Sequence, residues 1–208
     1  LLNPFILGNI DDKLVICYYD FIIDEEEIFF KMFDMESNNW SEKIKLTSGF
    51  SSKLYIDFIY YKGKMHLVYS EYFEGNLVVK YERFRIEENK VIKEVEKVLS
   101  NPENCSYPTI VVYENKLWIV WVEYDSIVSR YSEDQGQSWS NLYLWKESKK
   151  EDIVRYKFVD NGKYKKSIKF NYSFGKVFPT VEFIGFGPLV NTMEVPLKKN
   201  RYINIFKI

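Results

Sequence analysis

KLWIVWVEY, residues 116–124, has two counterparts upstream: KMHLVYSEY at 64–72 and KLVICYYDF at 13–21. The three align without gaps, at intervals of 51 (64 − 13) and 52 (116 − 64) residues. Each opens on lysine and an apolar residue that is not β-branched, and closes on an acidic residue followed by an aromatic one. A second set keeps step downstream: IFFKM from Ile28, LVVKY from Leu77 and IVSRY from Ile127. The repeated unit therefore contains a pair of strands. Self-similarity at this period signals a propeller or a solenoid.

Each unit offers four strand candidates. In the third they are TIVVY, LWIVWVEY, IVSRYS and LYLW, separated by turn residues. In the second, Glu74-Gly75 reads as a tight hairpin turn. Both alternating faces of LWIVWVEY are apolar, which predicts cover on both sides of its sheet. Four-stranded antiparallel sheets packed face to face around an axis supply that cover.

Between the third and fourth strands of the third unit lies SEDQGQSW, residues 132–139. Ser132, Asp134, Gly136, Ser138 and Trp139 match Ser-x-Asp-x-Gly-x-Ser/Thr-Trp at every defined position. In motif and repeat the chain resembles the Asp-box (BNR-type) β-propellers, the architecture of sialidases and of many non-enzymatic relatives. In that family these turns lie at the periphery, so the resemblance implies a structural role for Ser132, Asp134, Gly136 and Trp139. Physically, Asp134 is suited to accept backbone N–H bonds, Gly136 to adopt positive φ, and Trp139 to bury its ring. The first unit keeps only Trp40 of the motif, with Met35 and Ser37 at the Asp and Gly positions. The second has lost even the tryptophan.

Composition agrees with an all-β chain. Alanine is absent, while 17 Tyr and 16 Phe help raise aromatics to 18%. No apolar run is long enough for a membrane span. Net charge is −1 but uneven: residues 149–208 hold 13 Lys and Arg against 5 Asp and Glu, leaving 16 against 25 in residues 1–148. Such asymmetry marks either a basic tail for an anionic partner or two parts that attract one another, and the apolar residues interleaved with those lysines favour the second. Residues 1–148 thus read as three propeller blades. Residues 149–208, where Asn161-Gly162 is a hairpin signal and Pro179, Pro188 and Pro196 interrupt, read as a divergent fourth blade or a β-rich extension. Three units and one irregular blade predict an arc rather than a closed ring, completed by further blades in a longer chain or by self-association.

Candidate ligand-binding residues recur with the repeat. Asp20, Glu71 and Glu123 occupy one position, and Tyr18, Tyr69 and Trp121 lie two residues earlier. A turn at Glu74-Gly75 sets Tyr69 opposite Lys80. Closure by Tyr124 and Ile127 sets Trp121 opposite Arg130, and a longer loop in the first unit brings Tyr18 near Lys31. Such aromatic, cation and carboxylate sets act as blade cement through cross-strand and cation–π contacts. Alternatively, they line a ligand face at the end opposite the Asp-box.

The resemblance implies one enzymatic alternative, part of a sialidase-like exo-glycosidase. It requires an arginine cluster for the substrate carboxylate, a tyrosine nucleophile with a glutamate partner, and an acid. The arginines are Arg83, Arg85, Arg130, Arg155 and Arg201. FRIE at Phe84–Glu87 is similar to that family's Phe-Arg-Ile-Pro but lacks the proline and follows a third strand, so no catalytic residue is assigned. The expectation is instead a non-catalytic binding or scaffold module for a glycan or a protein surface. An extracellular or cell-surface setting is implied by the resemblance.

No cofactor or metal is expected. His66 is the only histidine, Cys17 and Cys105 show no metal or redox spacing, and Asp24–Glu27 lacks calcium-loop spacing. No phosphate-binding glycine loop occurs. The aromatics follow strand periodicity rather than an RNA-binding pattern, so no nucleic-acid partner is expected.

Overall fold

The computed structural model describes residues 5–49, 51–87, 90–149, 153–159 and 168–198. In chain order the strands are β1 (Phe5–Ile10), β2 (Lys13–Ile22), β3 (Glu25–Asp34), β4 (Asn39–Trp40) and β5 (Ile44–Lys45). Next come β6 (Lys53–Tyr61), β7 (Lys64–Phe73), β8 (Asn76–Glu87) and β9 (Lys90–Val98). The third repeat gives β10 (Ser106–Tyr113), β11 (Lys116–Glu123), β12 (Ser126–Ser132) and β13 (Leu142–Trp145). The remainder supplies β14 (Val154–Lys157), β15 (Ile168–Phe170), β16 (Tyr172–Lys176), β17 (Glu182–Ile184) and β18 (Thr192–Val195).

These strands form four antiparallel sheets in a propeller-like arrangement, with β6 packed between β1 and β10. The blades have five, four, six and three strands. The expectation of three four-stranded blades and a divergent remainder is corrected in count. Only the second blade has four strands, and the third gains one at each edge, because β15 pairs with β10 and β18 with β13. The remainder is thus divided. β14, β16 and β17 make their own sheet, while neighbouring segments complete the ladder of the third. Asn161-Gly162 lies outside the described residues. Val154–Lys157 pairs with Tyr172–Lys176, whereas Ile168–Phe170 joins the third blade.

Three cores fill the spaces between sheets. Met65, Leu67 and Phe84 of the second blade meet Cys17, Ile28 and Phe30 of the first. Val68 and Tyr81, on the second blade's other face, meet Ile119, Trp121 and Val128 of the third. Trp118, Val120 and Trp145 then meet Phe170, Phe174 and Ile184. The two-sided apolar pattern of β7 and β11 follows from this sandwiching. On the outward flank of β1, Phe5 and Leu7 remain 49% and 47% exposed.

Turn length decides the cross-strand pairs. Glu74-Gly75 is a two-residue turn with both φ positive, and Tyr69 does pair with Lys80. In the third blade the closing pair is Glu123–Ser126 around Tyr124-Asp125, not Tyr124–Ile127. Trp121 therefore faces Val128, and Arg130 faces Ile119. The first blade likewise turns on Ile23-Asp24, so Tyr18 pairs with Phe29 and Lys31 with Ile16. Two-residue turns with positive φ match the right-handed twist of the strands, and Tyr124 and Asp125 at φ 46° and 56° adopt that geometry without glycine.

Candidate functional site

The SEDQGQSW turn sits at one end of the third blade and is tied internally and to the second blade. Ser132 Oγ donates to Asp134 Oδ1 (2.7 Å) and accepts from the Gly136 N–H (2.7 Å). Asp134 also accepts from the Ser138 N–H (2.9 Å) and hydroxyl (2.5 Å). Against the cost of desolvation, these donors hold its carboxyl down at about 2. Gly136 lies at φ +86°, with a Cβ there only 2.1 Å from the Tyr81 hydroxyl. That hydroxyl and the Arg83 guanidinium both donate to the Gln135 carbonyl, and Trp139 packs edge-on against Tyr81 at 4.9 Å. Asp134→Ala is expected to cost about 1–2 kcal/mol of stability, as for other lost charge-assisted bonds, without weakening ligand binding. Denaturant melts with a binding assay check both halves. The first blade keeps a related device one residue out of place. Asp34, beside the Met35 position, accepts from Ser37 Oγ (2.8 Å) and the Glu36 N–H (2.9 Å).

Arg130 donates to the carbonyls of Ser140 (2.8 Å), Leu99 (3.2 Å) and Trp139 (3.4 Å). It joins the far side of that turn to the exit of the second blade. Tyr69 is buried and donates to Glu82 (2.7 Å). Trp121 is fully buried and donates its indole N–H to Glu123 (3.1 Å). His66 is enclosed, 2.8 Å from the Tyr81 hydroxyl, and burial pulls it down to about 4. Cys17 and Cys105 are free and buried.

The repeated carboxylates share a position but not an environment. Asp20 is partly exposed and pairs with Lys43 at 2.7 Å. Glu71 lies between Lys80 (3.1 Å) and Lys53 (4.0 Å). Glu123 is buried at 8% exposure, and its Oε2 receives Trp121 Nε1 and, at 3.7 Å, Cys105 Sγ. Burial raises its carboxyl above the usual range, against the pull of those two donors. No lysine or arginine among the described residues forms an ion pair with it.

Glu123 lines an open cleft of about 900 Å³, within the size range of ligand pockets. Its walls are Ile127, Val128, Leu144, Ile153, Phe174 and Met193, and its rim carries Tyr124, Asp125 and Lys149. The cleft is at the Tyr124-Asp125 end of β12, one strand length from the SEDQGQSW turn at the other end. Asp20 and Glu71 do not line it. Of the repeated carboxylates, only the third faces this space.

Beside it, the first strands of the second and third blades each bulge, at Leu54/Asp57 and at Ser106/Thr109. The bulges give Tyr55 and Tyr107 φ of 58° and 53°, strained for aromatic residues, and bring their rings to 4.3 Å. Behind them Asp57 is fully buried. It accepts from the Ile110 N–H (2.9 Å) and the Asn171 amide (2.9 Å), and burial raises its carboxyl to about 6. Arg155 stacks on Tyr172 at 3.7 Å and donates to Thr109 (3.3 Å). Sequence reading missed Tyr55, Asp57 and Tyr107, and named Arg155 only among the arginines of the enzymatic alternative. The available signal was Tyr55 recurring as Tyr107 at the 52-residue period (107 − 55).

Each described arginine is committed to other protein groups. Arg83 and Arg85 bond Glu94, Arg130 bonds carbonyls, and Arg155 is held as above; Arg201 lies outside the described residues. Among the described residues no group of three His, Cys, Asp or Glu is placed to hold a metal ion, and no helix is long and apolar enough to cross a membrane. No family model matches the chain, and no curated protein matches it in sequence.

Proposed function

We propose that this chain is a non-catalytic propeller of the Asp-box type that acts as a binding or scaffold module for a glycan or a protein surface. The observation that carries the reading is the cleft over Glu123. It combines apolar walls, the exposed Tyr124 ring and one buried carboxylate, a mix suited to holding a ligand rather than transforming it. A sialidase-like site needs several arginines converging on one carboxylate, whereas Arg83, Arg85 and Arg130 serve the second and third blades away from Arg155. An extracellular or cell-surface setting belongs to the same proposal. So does cover for the exposed Phe5 and Leu7 flank, from a further blade or a second copy.

The test pairs a binding screen with an activity assay. The purified chain is applied to immobilised sialylated, galactosylated and glucan oligosaccharides and incubated with a fluorogenic sialoside. The expected result is retention on one sugar class, weakened about tenfold by Tyr124→Ala, and no release of fluorophore. Sialoside turnover that disappears in Tyr107→Phe or Arg155→Lys would replace this reading with the glycosidase one.

A further inference from the structure

Glu123 differs from its repeat counterpart by two lost lysines. In the second blade Lys53 stands across the ladder from Glu71, and Lys80 stands across from Tyr69. In the third blade Cys105 occupies the place of Lys53 (105 − 53 = 52), with its Sγ against Glu123. Val128 occupies the place of Lys80, because it stands across from Trp121. Both cationic partners of the carboxylate have become small apolar side chains, yet the carboxylate itself is kept and buried. Val128 is a wall of the open cleft that Glu123 also lines.

We propose that this cleft binds an alkylammonium group, whose cation takes the place at Glu123 that Lys80 takes at Glu71. The inference rests on the cleft being the module's ligand site and adds the chemistry of what enters it. A buried carboxylate without a cation is costly to ionise, and an ammonium carried on an apolar chain offsets that cost while covering Leu144, Ile153 and Met193. Asp125 at the rim adds negative charge near the entrance, and Lys149, also at the rim and exposed, is the one described cation there. The same group arrives either on a free alkylamine or on a lysine side chain of a peptide or protein.

The experiment titrates the intact chain with butylammonium and with Nα-acetyl-lysine methylamide. The neutral control is the same lysine derivative acetylated on Nε. The readout is the indole N–H resonance of Trp121, which bonds Glu123 directly. Both amines are expected to shift that resonance saturably, and the neutral control to bind at least about tenfold more weakly. Glu123→Gln and Val128→Lys are each expected to weaken amine binding about tenfold or more, the latter by installing an internal cation. Glu71→Gln in the second blade should leave it unchanged. Equal affinity for the two amines assigns the site to free alkylamines, and preference for the lysine derivative assigns it to a peptide-borne lysine; both support the proposal. Equal binding of the neutral control overturns it on wild-type protein alone, as does amine binding that survives both Glu123→Gln and Val128→Lys, or no shift at all. Glycan retention sensitive to Tyr124→Ala without any amine response sinks this inference and leaves the binding-module reading standing.

Discussion

Lys53→Met is expected to lower the free energy of unfolding by about 3–5 kcal/mol, the cost typical of removing one partner from a buried ion pair. Lys53 has no exposed side-chain surface, and its ammonium lies 3.0 Å from Glu27, which is equally enclosed. It also donates to the Ser51 carbonyl at 3.0 Å, so both ends of the pair depend on this one cation. Methionine fills the space but strands Glu27 with the Thr47 hydroxyl (2.6 Å) and half-exposed Lys45 (3.2 Å). Burial works against ionisation of Glu27, yet Thr47, Lys53 and Lys45 together bring its carboxyl below the usual range. A lowered carboxyl contributes stability above its unfolded value and loses it as the pH falls through the folded value. The gap between wild type and variant should therefore close in acid. Urea melts at pH 7 and pH 3 test both points. A loss under about 1 kcal/mol at neutral pH would show that the pair contributes no more than a surface one. Adding Glu27→Leu to the variant should recover much of the loss, since it removes the stranded charge.

Asp57→Ala is expected to show the opposite pH dependence. In the folded protein this carboxyl is raised to about 6, against 3.8 ordinarily, because it is fully buried. Between those values the folded state binds the extra proton, so stability from this group is full below about pH 4 and falls as the pH rises through 6. The drop is about 3 kcal/mol for roughly two pK units. Alanine abolishes that dependence and orphans the Ile110 N–H and one bond of the Asn171 amide. Each unsatisfied donor costs about 1–3 kcal/mol. The variant should accordingly be destabilised by about 3 kcal/mol near pH 4 and far less near pH 8. A gap that widens with pH would mean that Asp57 is ionised and stabilised by Arg155, contrary to its raised value.

Much of the strand layout is legible in the chain itself. The four strands of the third repeat coincide with β10 to β13, and Glu74-Gly75 gives the right register for β7 and β8. These are local properties: alternation of side chains and a turn that glycine makes easy. The register of β11 with β12 is less accessible, because Tyr124-Asp125 forms the same turn without glycine. A two-residue shift there exchanges Arg130 for Val128 opposite Trp121 and changes what surrounds Glu123. The candidate site was thus half readable. Glu123 and Trp121 stand out by repetition, while Tyr55, Asp57, Tyr107 and Arg155 are joined only by bulges and by chain segments about 50 and 100 residues apart.

What the sequence determined alone was the repeat, its strand periodicity and therefore an all-β stack of sheets, since a two-residue period with apolar faces on both sides allows little else. The tertiary structure decided where residues 153–159 and 168–198 go, and how the repeated carboxylates differ. Ile168–Phe170 and Tyr172–Lys176 are adjacent in sequence yet join different sheets, because β10 has an open edge and β14 needs a partner. Nothing in their composition distinguishes them. Likewise Asp20, Glu71 and Glu123 are equivalent by spacing. Lys43, then Lys80 with Lys53, and finally Cys105 with Val128 give them three different environments, because long-range strand pairing chooses each carboxylate's neighbours.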